Sequence, residues 1–435
     1  MKPRPPVPQK NLFLMPLERI IDPSHPLAKL AGQINWEAFD ETFGSLYSPG
    51  MGRPAKPTRL MVGLHYLKHA HDLSDEDVVT GWVENPYWQY FCGGENFEHE
   101  FPIEPSLMTR WRKRLGEKGL EKLFEETIKT GLSTGALKPS ALEKLNVDTT
   151  VQEKAITYPT DAKLCHRMRE KLVRMAKKHG IELRQSYKFL SKKALFMQGM
   201  YSRSRKPRKS AGQVRKIKVY LGRVVRDIGR NVAGKSDLAE TFSAPLALAR
   251  RILAQKRGDK GKVYSVHEPE VQCIAKGKAH KKYEFGCKVG IVATSRNPFI
   301  VGIMAFKGNP YDGHTLAECV EQAERLTGRK ASELFVDKGY RGHNYKGEAA
   351  VHISGAKKNI SKTLKRWLKR RSSIEPLIGH AKDESRLGRN HLKGVEGDVM
   401  NALLAGCGQN IRRLVAALLL FLFGWRQKPE FCSAV

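Results

Sequence analysis

The chain has 435 residues, a formal net charge of +33 at pH 7 and a pI of about 9.9. Excess positive charge of this size indicates a polyanionic partner. Nucleic acid fits best, because long basic surfaces gain affinity by releasing counterions. The longest apolar run, Leu414–Phe423, has ten residues, whereas a membrane-spanning helix needs ~20, so a membrane partner is not expected. The seven cysteines are scattered and form no Cys-x-x-Cys pair, which is typical of reduced thiols in the cytoplasm and not of a disulfide framework or a zinc site.

Residues 1–130 contain several short helical patterns. Apolar residues recur at helical spacing in Pro57–Lys68, and Ser74 with Asp77 forms a capping-box pattern at the start of a second helix. A third helix is predicted at Ser106–Leu115. Short helices that end in a basic one resemble a helix-turn-helix arrangement, so we expect this region to bind DNA; the alternative is an ordinary helix with a solvated basic face. The basic residues of the third helix surround Trp111 and are Arg110, Arg112, Lys113 and Arg114.

A buried strand and a basic helical segment follow. Leu145–Val151 is apolar-rich and has a single acid, Asp148, in its middle. Residues 157–261 are then rich in Lys and Arg mixed with aromatic side chains, and their apolar spacing predicts helices, among them Asp161–Lys178 and Leu238–Ala254. This segment is predicted to be an insertion after the first strand. It is either a DNA clamp or a solvated helical hairpin.

Residues 262–395 return to strand and helix patterns. Strands are predicted at Val263–Val266, Tyr283–Thr294 and Phe299–Phe306, and the last two form a hairpin. A helix is predicted at Thr315–Leu326, and a further strand at Val351–Ser354. The order of these elements is that of an α/β fold.

A second acid lies at the end of a predicted buried strand. The short apolar run Leu334–Val336 ends on Asp337, and Gly339 marks a turn directly after it. A carboxylate at the end of a buried strand is costly unless it is paired or metal-bound. Asp312, in the loop before the helix, either lies near such a site or bonds within its own turn.

A third acid lies in a strongly basic stretch. Residues 370–382 read RRSSIEPLIGHAK, in which Glu375 stands between Arg371 and Lys382. Helical spacing puts Glu375 and Lys382 on nearly the same face, where the acid can bind a divalent cation and the basic residues can bind phosphate. The alternative is a capping box formed by Ser372 and Glu375. Three carboxylates brought together by an α/β fold would give the oxygen ligands that Mg²⁺ prefers.

These motifs resemble a known family. Asp148, Asp337 and Glu375, with the D-K-G-Y-R-G motif that begins at Asp337, look like the DDE triad of bacterial insertion-sequence transposases. The resemblance is closest to the group named after insertion sequences four and five, which carries a Tyr-x2-Arg-x3-Glu-x6-Lys signature in its acid helix. Arg371, Glu375 and Lys382 match that signature in type and spacing, and Leu368, next to Trp367, stands at the Tyr position.

The resemblance implies an α/β protein with an RNase H-like catalytic core. This core would comprise residues 140–156 and 262–395, with residues 157–261 as a helical insertion after its first strand. Residues 1–130 would form an N-terminal all-helical domain that binds DNA. Residues 396–435 would form C-terminal helices that pack on the sheet.

The resemblance also implies site residues and their ligands. The catalytic residues would be Asp148, Asp337 and Glu375, which would hold two Mg²⁺ (or Mn²⁺) ions. Four further residues would contact DNA together with the basic helix of the N-terminal region. They are Arg371 and Lys382, near the cut phosphate, and Tyr340 and Arg341.

The implied function is transposition. Such an enzyme binds the terminal inverted repeats of a mobile element, cleaves the DNA ends and joins them to target DNA. Its partners would be double-stranded DNA and further copies of itself, as a homodimer or larger assembly, and its location the cytoplasm, in association with the nucleoid. The alternatives are a catalytically inactive DNA-binding protein that occupies the element ends, and an RNase H-like nuclease that never joins strands.

Overall fold

The structure is a computed structural model that describes residues 15–47, 54–256, 258–275, 282–355 and 360–422. Residues 1–14, 48–53 and 423–435, which belong to the predicted N-terminal domain and C-terminal helices, lie outside the described residues. The chain divides into two compact units. The larger comprises Met1–Glu153 and Cys287–Val435, and the smaller comprises Lys154–Gly286. Within the described ranges, every helix is too short or too polar to cross a bilayer.

The larger unit begins with a helical region, which confirms the prediction of a helical N-terminal part. Ser74 and Asp77 form the expected capping box at the start of α4. The helix α6 is interrupted at Gly116, whose φ of 61° and ψ of −166° are not helical. Two helical segments therefore meet there. The six helices are α1 (Pro26–Gln33), α2 (Glu37–Gly44), α3 (Thr58–Ala70), α4 (Asp75–Glu84), α5 (Pro86–Phe91) and α6 (Ser106–Ser133).

A mixed sheet follows, as the sequence predicts. Its strands are β1 (Lys144–Lys154), β2 (Gln272–Ile274), β3 (Glu284–Thr294), β4 (Ile300–Phe306), β5 (Glu333–Val336), β6 (Ala350–Ile353) and β7 (Arg389–Asn390). In the larger unit β4 pairs with β3, and the order continues through β1 and β5 to β6, while β7 pairs with β1. β3 and β4 form the predicted antiparallel hairpin. β5 is parallel to both β1 and β6, so the carboxyl ends of these three strands lie at one edge of the sheet.

Four further helices belong to the larger unit, and one of them corrects the prediction. The C-terminal region, expected to hold several helices, is a single long helix as far as it is described, because buried contacts with α3, α6 and β4 hold it along its length. Asn410 bonds both backbone groups of Ile300 on β4 and the hydroxyl of Thr127 on α6. Gly408 lies so close to α3 that an added Cβ would clash with the backbone carbonyl of His69. The helices are α11 (Asp312–Thr327), α12 (Lys362–Arg370), α13 (Ile374–Glu384) and α14 (Gly394–Leu422).

The smaller unit is mainly helical and has its own core. Four amphipathic helices bury residues such as Leu172, Leu221 and Phe242 against one another. The predicted strand at Val263–Val266 is wrong. The side chain of Gln255 bonds both backbone groups of Val263 and satisfies them without strand pairing. The helices are α7 (Asp161–Lys178), α8 (Lys188–Arg203), α9 (Pro207–Val232) and α10 (Ser236–Ala254).

An ion-pair network crosses the N-terminal helices and corrects the prediction for Arg112. The Arg112 side chain is 2% exposed, and its two terminal nitrogens donate to the carboxylate of Asp75 at 2.8 and 2.6 Å. Lys68 Nζ donates to the same carboxylate at 2.6 Å. Burial by itself raises the pKa of Asp75, but the hydrogen bond from Arg112 and the charges of Lys68 and Arg112 outweigh it and hold this pKa well below its usual range. Arg112 therefore stabilises the helical region and is not available to a DNA surface.

Asp75→Asn is expected to lower the free energy of unfolding by about 3–5 kcal/mol, because it leaves two buried cations without their anion. Urea unfolding at pH 7 measures the loss, and Glu76→Gln, an exposed acid on the same helix, is the matched control. The depressed pKa means that this stabilisation is present above the unfolded pKa of about 3.9 and is lost as the pH falls below it. Equal stability of the two variants would contradict a structural role for the network.

Candidate active site

The strand register places two of the predicted acids side by side. β1 and β5 pair in parallel at Leu145 with Leu334 and at Asn146 with Phe335. Two residues further along, this register sets Asp148 beside Asp337. Parallel neighbours lie about 4.8 Å apart and point to the same face. The apolar residues that precede each acid are buried, whereas both acids are partly exposed, so the two carboxylates are open to solvent at neighbouring positions of the two strands.

Each of these carboxylates is oriented by the backbone that follows it. An oxygen of Asp148 accepts the N–H of Thr149 at 2.7 Å. An oxygen of Asp337 accepts the N–H of Gly339 at 2.8 Å and begins the 3-10 turn Lys338–Tyr340. The local sequence thus fixes how both acids point.

A fourth carboxylate, Asp312, joins this edge from the start of α11. Its Oδ1 accepts hydrogen bonds from the hydroxyl of Thr149 at 2.7 Å and from Lys288 Nζ at 2.8 Å. A Cβ added at Gly339 would lie 3.0 Å from an oxygen of Asp337 and 3.1 Å from one of Asp312, so both acids flank this glycine. Of the two alternatives for Asp312, the structure therefore places it near the predicted site.

Lys288 was not predicted as a site residue, although its position in the sequence gives a signal. It stands in the middle of the apolar strand β3, and its side chain is 8% exposed. A buried lysine is costly unless it is paired, and its partner here is Asp312. A lone lysine in an apolar strand is therefore a pointer to a buried acid.

Glu375 is linked to the strand acids through Arg371. The two terminal nitrogens of Arg371 lie 3.5 Å from an oxygen of Asp148 and 3.0 Å from one of Glu375. Arg371 and Asp148 are mostly covered, with side chains 15% and 18% exposed, whereas the Glu375 side chain is 61% exposed. Arg371 thus bridges the middle of β1 and the first turn of α13.

The capping-box alternative for Glu375 does not hold. The hydroxyl of Ser372 donates to the carbonyl of Lys369, and α13 begins at Ile374 without a side-chain cap. The carboxylate of Glu375 instead forms an ion pair with Arg371.

Asn146 holds the α12–α13 junction against β1, a role that the sequence did not reveal. Its amide donates to the carbonyl of Arg370 and the hydroxyl of Ser373, both at 3.3 Å. Its oxygen accepts the hydroxyl of Ser295 at 2.6 Å. Asn146 is fully buried and lies two residues before Asp148, on the same face of the strand.

The carboxylates suit a hard divalent cation in their chemistry. All their donor atoms are oxygens, which Mg²⁺ and Mn²⁺ prefer, and Asp148 and Asp337 are neighbours. Over the described ranges, however, no three His, Cys, Asp or Glu side chains lie close enough to hold one ion together. Arg371 instead neutralises Asp148 and Glu375. The oxygen donors suit such a cation in type, whereas the Glu375 carboxylate is held in an ion pair with Arg371 in this structure.

The other residues predicted to contact DNA differ in how exposed their side chains are. On α6, Arg110, Lys113 and Arg114 are exposed, and the Arg114 guanidinium lies 4.9 Å from the ring centroid of Tyr47. Arg341 is exposed and Lys382 is partly buried. The prediction that Tyr340 contacts DNA is wrong, because this residue is fully buried. Burial also raises the pKa of its hydroxyl well above the usual value. Its ring packs in the core and cannot face DNA.

Trp367 occupies the surface next to the Tyr position of the signature. Its ring stacks on Phe335 of β5, with centroids 6.1 Å apart. Three cationic groups lie 5.1–5.5 Å from the ring centroid, and they belong to Lys144, Arg296 and Arg370. The tryptophan thus gathers positive charge close to the acid helix.

Two family models of known proteins match this chain. Residues 15–114 match a family model described as "Transposase domain (DUF772)", and residues 261–410 match one described as "Transposase DDE domain". The second match includes Asp337 and Glu375 but not Asp148. The chain belongs to the DDE-type transposases, a family of DNA-acting enzymes that normally use divalent metal ions.

A curated relative covers about half of the chain. It is the "Uncharacterized protein ORF8 in nfe locus" of Rhizobium meliloti, which is 57% identical over 206 residues, or 47% of this chain and 99% of the relative. Its printed name assigns no activity. No solved structure matches the chain.

Proposed function

We propose that this protein is a transposase of the group named after insertion sequences four and five. It binds the terminal inverted repeats of a mobile element, cleaves the DNA ends and joins them to target DNA. The observation that carries this proposal is the placement of Asp148 beside Asp337, with Arg371 linking Asp148 to Glu375. A helical region with exposed Arg and Lys precedes this site in the same chain, which suits recognition of DNA.

The proposed architecture is an RNase H-like core with a helical insertion. Residues 140–156 and 262–395 form the core, residues 157–261 the insertion, residues 1–130 the domain that reads the DNA ends, and residues 396–435 the C-terminal segment. The separate hydrophobic core of Lys154–Gly286 supports an insertion, since a segment with its own core can fold within another domain. The order of the acids along strand, strand and helix supports the catalytic core.

The chemistry is the breaking and making of phosphodiester bonds. In cleavage, a water oxygen attacks phosphorus and the bond from phosphorus to the 3′ oxygen breaks. One proton goes to the departing 3′ oxygen and the other passes to solvent, so that a 3′-hydroxyl and a 5′-phosphate remain. In joining, that 3′-hydroxyl attacks a target phosphorus and displaces a target 3′ oxygen, which takes up a proton. Cleavage is a favourable hydrolysis, and joining replaces one phosphodiester bond with another. Neither step therefore needs an external energy source.

The carboxylates of Asp148, Asp337 and Glu375 would hold the divalent cations, Mg²⁺ or Mn²⁺, and we propose two of them. When bound, such cations activate the attacking oxygen and neutralise developing charge. Arg371 and Lys382 supply fixed positive charge for the phosphate, and the planar guanidinium suits two phosphate oxygens. Lys288 and Thr149 hold Asp312 at the rim of the site. We expect the protein to act on paired ends as a homodimer or larger assembly.

A plasmid assay tests the proposal. Purified full-length protein is incubated with a supercoiled plasmid that carries the coding sequence and its flanking DNA, together with a second plasmid as target. In Mg²⁺ we expect nicks at the element ends and products joined to the target, and in EDTA neither. Nicking without joining would favour the nuclease, and binding without nicking would favour the inactive DNA-binding protein.

A further inference from the structure

A basic pocket in the smaller unit is not used by the proposed chemistry. It has a volume of about 240 Å³ and lies between α9 and the segment that precedes α8. One tyrosine and one acid also line it, Tyr187 and Asp227. Its four arginines are Arg184, Arg223, Arg226 and Arg230.

The sequence of α9 produces this charged face. Its apolar residues, such as Leu221, Val224 and Ile228, are buried in the core of the smaller unit. Arginines 223, 226 and 230 follow at spacings of three and four, so they share the opposite, exposed face. Like charges at this spacing repel one another. The face is therefore costly to the free protein and suits a polyanion.

A buried carboxylate, that of Asp227, holds the two sides of the pocket together. Asp227 is 6% exposed and is the single acid between residues 203 and 230. It accepts the backbone N–H of Arg184 at 2.8 Å and lies 3.3 Å from Arg230 Nη2. It thereby ties the segment before α8 to the surface of α9. Among the described residues, no carboxylate pairs with Arg223 or Arg226, which leaves both guanidinium groups available to a ligand.

Tyr187 closes one side of the pocket in an unusual conformation. Its φ of 53° and ψ of 24° are left-handed, a region that L-residues other than glycine rarely adopt. Its ring stacks on Tyr220 with centroids 4.9 Å apart. The Arg223 guanidinium lies 5.8 Å from the centroid of the Tyr187 ring, and its Nη1 lies 3.4 Å from the hydroxyl. The strained tyrosine thus holds Arg223, and such strain persists only where the surroundings fix it.

We propose that this pocket binds consecutive phosphates of a DNA backbone. The distance along α9 from Arg223 to Arg230 is roughly 10 Å, and a DNA strand carries one phosphate about every 3.4 Å of helix axis. The arginine face therefore spans more than one phosphate of a strand, and more than a single small anion can occupy. The choice of DNA as the polyanion rests on the proposed function. The pocket gives that DNA a second anchor on the smaller unit, apart from the carboxylate site.

The test compares two charge-matched double variants of the full chain. Arg223→Ala with Arg226→Ala removes the two arginines that have no carboxylate partner. Arg215→Ala with Arg250→Ala removes two exposed arginines of the same unit that do not line the pocket. Binding to a duplex from the flanking DNA is measured in EDTA over a range of salt concentrations, so that cleavage plays no part. Circular dichroism melts establish that both variants fold.

We expect the slope of log affinity against log salt to fall by about 2 for the pocket variant, since each phosphate contact contributes roughly 0.9. The affinity at low salt should fall on the order of tenfold or more, and the control variant should change much less. Equal effects in both variants, or none in either, would overturn the pocket and leave a diffuse basic surface. If the parent protein nicks DNA but the two variants bind alike, the pocket fails and the proposed function stands. A pocket-specific loss of affinity without nicking by the parent would instead support the pocket and contradict the proposed function.

Discussion

Asp148→Asn and Asp337→Asn are each expected to reduce nicking of the element ends by several orders of magnitude, to background. The register of β1 and β5 places the two carboxylates side by side, and replacing one with a neutral amide removes the charge that binds a divalent cation. Affinity for the end duplex should stay within about twofold, because it rests on many Lys and Arg contacts elsewhere. Nicking rates in Mg²⁺ and duplex binding in EDTA measure the two effects separately.

Glu375→Gln should show the same pattern, with Asp383→Asn as its control. Asp383 is an exposed acid on the same helix, α13, so a general effect of charge would appear in both variants. We expect the control to nick like the parent. Near-normal nicking by any of the three active-site variants would remove that residue from the proposed set of metal ligands.

Arg371→Ala is expected to lower the nicking rate by at least about 100-fold while the protein melts close to the parent temperature. Its pair with the exposed Glu375 contributes little, about 0.5 kcal/mol, and Asp148, its second partner, is partly exposed and gains solvation from water once the guanidinium is gone. If Arg371 positions the phosphate, however, displacing the reacting group by ~1 Å can cost roughly 100-fold. Arg366→Ala, an exposed arginine of α12, is the matched control. Thermal melts and nicking rates on the same preparations measure both quantities.

Arg371→Lys distinguishes charge from geometry. Lysine keeps the positive charge but cannot reach Asp148 and Glu375 with two nitrogens at once, so we expect an intermediate nicking rate. Lys382→Ala should also lose most of its activity. Near-parent nicking by both alanine variants would reduce Arg371 and Lys382 to residues that only support the helix.

Much of the local structure could be predicted from the sequence. The capping box at Ser74, the strand around Asp148 and the β3–β4 hairpin follow from patterns that span a few residues. Periodicity succeeds there because each element is formed mainly by neighbours in the chain. It failed at Val263, where Gln255 satisfies the backbone in place of a strand partner.

The environment of individual side chains could not be predicted in the same way. Arg112 carries the same charge as Arg110 and Lys113, yet Asp75, 37 residues away, draws it into the interior. Tyr340 lies in a motif that favours DNA contact, and packing buries its ring. Burial depends on which element covers a residue, and that is set by contacts between distant parts of the chain.

From the sequence alone one can identify the basic character of this protein, its helical N-terminal part and the three acids on predicted strands and a predicted helix, because charge and periodicity are properties of the chain. The tertiary structure was needed to find that Asp148 lies beside Asp337 and that Arg371 joins Asp148 to Glu375. It was also needed to find that Lys288 and Asn146 support the site. Apart from the Arg371–Glu375 pair, whose residues are four positions apart, these contacts join residues 24 to 227 positions apart, and no local pattern encodes them. They follow from the register of β1 with β5 and from the packing of α11 and the α12–α13 junction at the edge of the sheet.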